Sequence, residues 1–139
     1  VAAMAKSLGF GDRVLVRTER VERTGQDPGC RGTFDLAMAR AVGAAPVVAE
    51  YLVPLLRSSG EGLLYRGRWN DTDDMELQSA LKLLKARSLS LQRMELPSDR
   101  GSRTLIRIGP ETATPRTYPR TTGMPSKMPL GAQDDDNRS

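Results

Sequence analysis

No histidine occurs in the 139 residues. Within this chain that excludes a histidine general base and any metal site built on imidazole. One cysteine, Cys30, leaves no partner for an internal disulfide and fits a reducing compartment. Aromatic residues are scarce, with two Phe, three Tyr and one Trp. No apolar run approaches the roughly 18 residues that a membrane span requires, and no signal peptide is visible. A capping residue is also missing ahead of the first helical pattern. Val1, Met4, Ala5 and Leu8 follow helical spacing from the first position, so the chain reads as one that opens inside a helix and is expected to be a fragment.

What the chain does have is cationic and α/β in pattern. Its net charge is +4, and most of the 21 cations are Arg, which permits an anionic partner such as RNA without requiring one. Residues 1–8 read as the end of a helix closed by Gly9. Arg13–Thr18 reads as a strand rich in β-branched residues. The segment 19–32 reads as a loop punctuated by Gly25, Pro28, Gly29 and Gly32, with a turn of helix around Val21–Thr24.

The organising stretch is Phe34–Arg40, an apolar run read as a short strand buried on both faces and ending in a cation. Ligands of open α/β sheets sit outside the carboxyl ends of strands, which makes Arg40 a site candidate. Its bland alternative is an ion pair with Asp35 or Glu50. A helix then starts at Ala44-Ala45-Pro46, carries Val47, Val48, Tyr51, Leu52, Leu55 and Leu56 as its apolar stripe, kinks at Pro54 and ends at Ser58-Ser59-Gly60. Gly62–Gly67 reads as another strand finishing in a cation, Arg66. Asp73 and Glu76 have capping-box spacing ahead of a helix with Leu77, Ala80, Leu81 and Leu84 on one face. Strands at 89–96 and 103–108, joined by a short polar turn, complete an antiparallel hairpin. The order implies an α/β sheet, mostly parallel with one reversed edge strand. From Pro110 prolines recur too often for helix or sheet. Residues 110–130 therefore read as an extended Pro/Arg arm and 131–139 as a disordered tail.

A set of short pieces in fixed order resembles one family. They are Leu8-Gly9, Arg20-Val21-Glu22 with Gly25, Phe34-Asp35 through Ala39-Arg40-Ala41-Val42, Tyr65-Arg66-Gly67 and Glu95-Leu96-Pro97. The arm adds Thr114-Pro115, Tyr118-Pro119-Arg120, Gly123, Pro125, Lys127 and Pro129-Leu130. Together they resemble the bacterial methyltransferases that modify a guanine N7 of 16S ribosomal RNA, over roughly residues 8–130. The resemblance implies that residues 1–109 are the C-terminal part of a class I methyltransferase domain, a partial Rossmann-like sheet. It implies S-adenosyl-L-methionine as cofactor, 16S ribosomal RNA or the small ribosomal subunit as partner, a cytoplasmic setting and neither metal nor membrane. Val21, Glu22 and Arg40 would line the cofactor site, Val21 by the adenine and Arg40 where cofactor and guanine meet. Arg20, Arg66, Arg116, Arg120 and Lys127 become candidate RNA contacts, and Tyr118 and Trp69 candidate stacking platforms, with plain packing favoured for Trp69. Tyr118 has a second reading as the anchor of an arm that straps the sheet.

This chain departs from the family pattern in two ways. It contains neither the glycine-rich loop after the first strand nor the acidic residue that ends the second, and Arg66 stands where many relatives have Lys. On its own the chain is therefore expected to be inactive. The alternative function is a non-catalytic RNA-binding or scaffold module built on the same half-sheet and arm.

Overall fold

In a computed structural model the protein is described over residues 1–40 and 43–132. Ala41 and Val42, and all of the expected tail beyond Ala132, lie outside the described residues.

The N-terminal helix α1 (Ala2–Ser7) ends as its sequence implies. Gly9 takes the left-handed conformation at φ +76°, which lets the Gly9 and Phe10 amides turn back to the carbonyls of Lys6 and Ala5. The strand expected over Arg13–Thr18 does not form. Val14, Leu15 and Val16 are exposed and in irregular backbone. β-branched composition favours a strand only where a neighbouring strand can satisfy the ladder, and none of the described strands pairs with this segment. The turn of helix expected near Val21 is present and slightly longer, as α2 (Val21–Gln26).

Among the described residues four strands form one sheet: β1 (Phe34–Arg40), β2 (Leu56–Arg66), β3 (Ala86–Glu95) and β4 (Ser102–Pro110), in the order β1-β2-β4-β3. β1 and β2 run parallel, while β4 is antiparallel to both of its neighbours. The single reversed strand is therefore interior, a correction to the expectation of a reversed edge. The cause is burial. Thr104, Ile106 and Ile108 of β4 are almost wholly enclosed, whereas β3 is largely exposed, so the hairpin inserts its second strand toward the core.

β1 is also not buried on both faces. It occupies the sheet's outer position, with Phe34, Leu36 and Met38 exposed and only Ala37 and Ala39 packed against the core. Its register with β2 jumps between Phe34 and Leu36, and Gly60 is where the two strands nearly touch. A Cβ there would lie 2.6 Å from the Phe34 carbonyl oxygen.

One face of the sheet is covered by α3 (Ala45–Leu52) and α4 (Asp71–Leu83), whose Val48, Leu52, Leu77 and Leu81 meet Leu64, Ile106 and Ile108. The opposite face presents Leu36, Met38, Leu63, Tyr65 and Leu105 at matching register positions. α3 stops at Leu52, earlier than its apolar stripe suggested. Pro54 has no amide to donate and closes the helix into a short 3₁₀ turn, Val53–Leu55, so Ser58-Ser59-Gly60 belongs to β2 rather than to a helix end. The capping box of α4 also sits three residues earlier than expected. The Asn70 side chain accepts from the Asp73 amide at 2.8 Å, and the Asp73 carboxylate accepts from the Asn70 amide at 3.1 Å.

The arm runs from Glu111 to Leu130 and packs over α2 and α3 rather than standing away from them. It includes a short helix, α5 (Met124–Lys127), with Pro119, Pro125 and Leu130 buried. Contact is close enough that a Cβ on Gly25 of α2 would lie 2.6 Å from the Pro119 ring. Gly131 and Ala132 form a turn against α4.

Candidate functional site

β1 and β2 are parallel and end side by side, with Arg40 opposite Tyr65. Just beyond these carboxyl ends lies an open basin of about 780 Å³ whose lining includes Arg40, Tyr65, Arg66, Arg68, Met94 and Arg103. The Arg66 guanidinium donates from Nη1 to the Gly43 carbonyl at 2.6 Å, fixing the loop after β1 to the end of β2. Thr104, almost fully buried, donates its hydroxyl to the Gly67 carbonyl at 3.1 Å and holds the turn that follows Arg66. Arg40 is exposed, and neither of the ion pairs considered for it is made. Asp35 pairs with Arg57 at 2.5 Å, and Glu50 is taken by Arg120. Among the described residues Arg40 has no ion-pair partner. Arg68 and Arg103 were not anticipated from the sequence; their signal was present, because Arg68 follows the end of β2 and Arg103 opens β4, which starts at the same side of the sheet.

Val21 is half-buried at the start of α2 and faces an apolar groove of about 330 Å³ along β1, beside Ala37, Ala39, Tyr51 and Leu52. Glu22, its neighbour, behaves differently. It is only 2% exposed, which excludes a solvated loop charge. Its carboxylate accepts from Arg20 Nε at 3.1 Å and Nη2 at 3.4 Å, and from the Gly123 amide of the arm at 3.3 Å. Glu22 thus ties α2 to the arm, and the groove beside it is left to apolar groups.

Arg20, an RNA-contact candidate, is half-exposed but committed to Glu22. Arg120 is committed more firmly. Its Nε and Nη2 engage both oxygens of the fully buried Glu50 at 3.0 and 2.9 Å, its amide donates to Glu50 at 2.8 Å, and Nη2 reaches the Met128 carbonyl. Drawing Arg120 out to a phosphate would leave the buried Glu50 carboxylate unpaired, so Arg120 serves the arm's seat. Arg116 and Lys127 are exposed on the arm, away from the basin-lining residues. Trp69 is 8% exposed inside the core, with an indole N–H that finds no acceptor among the described residues, so it does not present a stacking face. Tyr118 is half-buried against the core, in accord with the arm's reading as a strap.

Sequence reasoning missed Arg31. Its guanidinium donates to the carbonyls of Gly25, Thr114, Pro115 and Tyr118, pinning the arm to α2. Burial, and the nearby charge of Arg116, make its proton easier to lose than usual. A second cavity, of about 300 Å³, lies between Arg31, Arg57 and the start of the arm, at the opposite end of the sheet from the basin. Cys30, given no role from sequence, is buried and accepts from Arg17 Nη1 at 2.8 Å. Among the described residues no group of three or more Asp, Glu or Cys comes together as a metal site, and no helix is long and apolar enough to cross a membrane.

A half-open α/β sheet with parallel strands ending at a cation-lined basin, and a hairpin that reverses one interior strand, defines a partial Rossmann-like methyltransferase fold. A family model described as rRNA small subunit methyltransferase G matches residues 4–104, and the chain belongs to that family. Over all 139 residues it is 68% identical to the protein named ribosomal RNA small subunit methyltransferase G of Synechococcus sp. (strain WH7803), and 58% identical to that of Synechococcus sp. (strain CC9311). Against the protein of the same name from Prochlorococcus marinus (strain MIT 9313) it is 57% identical over 130 residues, 94% of this chain. The chain spans 55%, 55% and 53% of the lengths of these three relatives.

Proposed function

We propose that this chain forms the acceptor side of an S-adenosyl-L-methionine-dependent methyltransferase that modifies a guanine N7 of 16S ribosomal RNA in the cytoplasm. The observation that carries the reading is Arg40, a guanidinium without an ion-pair partner among the described residues. It stands at the carboxyl end of β1 and opens onto a basin lined by three further arginines. Its chemistry matches a polyanionic substrate whose reacting base must be held at strand ends.

The residues present fit one end of the cofactor. The groove beside Val21, Ala37 and Ala39 is apolar and suits the face of an adenine ring, but the Glu22 carboxylate is turned to Arg20 and Gly123. No glycine-rich loop precedes β1 within these residues to receive the rest of the molecule. When bound, the cofactor supplies an electrophilic sulfonium methyl group. Guanine N7 has a free lone pair and needs no deprotonation, so the chain's lack of histidine is no obstacle, and the protein's task is alignment. Arg40 holds the mouth of the site by charge, and Arg66 fixes the loop that frames it through Gly43.

Calorimetry on the 139-residue chain tests the cofactor half of this reading. No measurable S-adenosyl-L-methionine binding is expected, and tight binding would show that the cradle is complete as it stands. For the catalytic half, Arg40→Ala placed in a full-length relative should reduce methylation of 16S ribosomal RNA by at least about a hundredfold, the size of a lost orienting contact. Wild-type rates would remove Arg40 from the site.

A second reading, a non-catalytic RNA-binding or scaffold module, is favoured by the confinement of cofactor-compatible surface to one groove. The coding sequence upstream of Val1 separates the two. An open frame encoding a glycine-rich loop supports the enzyme, and a genuine start codon there supports the module.

A further inference from the structure

The basin contains more than a general positive field. Arg40 and Tyr65 face each other across the β1–β2 ladder, and Tyr65 is opposite Leu105 on β4. Tyr65 is 43% exposed on the sheet face that carries no helix of the described chain. Arg103 comes from the start of β4, opposite Met94 of β3, and Arg68 from the turn after β2, so the cations approach the ring from separate elements. Arg68 and Arg103 are exposed, and among the described residues no acidic side chain lines the basin. Arg66 is already spent on the Gly43 carbonyl, and one nitrogen of Arg103 on the Ser102 carbonyl. The groups left to meet an outside anion are therefore Arg40, Arg68 and the rest of the Arg103 fork.

We propose that Arg68 and Arg103 clamp the phosphates of a single-stranded RNA segment while an unstacked base lies on the ring of Tyr65. This rests on the reading of the chain as part of a ribosomal RNA methyltransferase and adds which residues position the strand. A guanidinium ring around an exposed aromatic suits single-stranded nucleic acid, because cations follow the backbone and the ring takes any base face. A duplex keeps its bases stacked and would leave Tyr65 without a partner. Lysine is not equivalent to arginine at these two positions, since the planar guanidinium fork meets two phosphate oxygens at once.

The test is binding of a single-stranded oligoribonucleotide to the chain by fluorescence anisotropy, with 2-aminopurine at a central position to report stacking. With about three phosphates engaged, one for each free basin arginine, log K should fall against log salt with a slope of roughly −2. Arg68→Gln with Arg103→Gln should bring that slope to about −0.7 and weaken binding about tenfold at low salt. Tyr65→Ala should remove the 2-aminopurine quenching, Tyr65→Phe should keep it, and Arg87→Ala, at the far end of β3, should bind as the parent does. Circular dichroism of each variant confirms that the fold is retained, and the exposed Arg68→Gln alone should still show part of the slope change. If the parent binds RNA but the double variant keeps its slope and affinity, the clamp is wrong and the RNA reading stands. Equal binding of a duplex with no effect of Tyr65→Ala overturns the single-strand assignment. A parent that shows no salt-dependent RNA binding overturns both.

Discussion

Glu50 and Arg120 lie 70 positions apart, yet the arm is seated on the pair they form. Glu50 is fully buried and Arg120 mostly so, and the carboxylate also receives the Arg120 amide. Replacing one partner leaves a buried charge without its counterpart, which costs about 3–5 kcal/mol. Glu50→Gln should therefore lower unfolding stability by about 3 kcal/mol in urea titration, and an unchanged midpoint would show that the arm is held by other contacts. At this scale the sequence was informative where a residue's place follows from its own element. Arg40 was legible as a cation at the end of an apolar strand. Glu22, Arg31 and Glu50 were not legible, because each is defined by a partner brought from the arm, and nothing in local spacing encodes that meeting.

The elements themselves were readable where periodicity and punctuation agreed. β1, the hairpin of β3 and β4, and the apolar face of α4 all occur close to their expected positions. Errors fell where a local pattern needed a partner or met a competing rule. Arg13–Thr18 has strand composition without a ladder, and Pro54 overrode an apolar stripe that would have prolonged α3. The cap of α4 was misplaced because Asp73 and Glu76 have the right spacing, while Asn70, three residues before Asp73, has the better geometry. Asn70→Ala should cost about 1 kcal/mol of stability, read from the same urea titration, whereas Glu76→Ala should change it by less than about 0.5 kcal/mol. The opposite ranking would return the cap to Asp73.

For the whole molecule, charge and sheet order act together. Glu19 and Asp27 accept from Arg17, and Glu61 accepts from Arg107 on the uncovered face of the sheet. Hydrogen bonds from Thr24 and Arg17 lower the pKa of Glu19, those from the Gly29 amide and Arg17 lower that of Asp27, and that from Arg107 lowers that of Glu61. A carboxylate with a depressed folded-state pKa contributes stability above its unfolded value and loses it as pH falls through the folded one. Melting temperature should accordingly decline on acidification below about pH 4.5, in parallel with rising positive charge. Asp27→Asn should soften that decline in a thermal-shift series. A melting temperature flat down to about pH 3 would mean that these pairs add nothing to the fold.

The sequence by itself determined the class of elements, the cationic balance, the exclusion of histidine chemistry and the placement of Arg40 at a strand end. Those follow from periodicity and composition, which act over a few residues and need no knowledge of neighbours. Only the tertiary structure decided that β1 is an outer strand, that β4 lies inside the sheet, and that the arm is a strap seated on Glu50 and Arg31. It also gathered Arg68 and Arg103 beside Arg40 and Tyr65. The physical reason is the same in each case: burial and ion pairing are set by which distant segments meet.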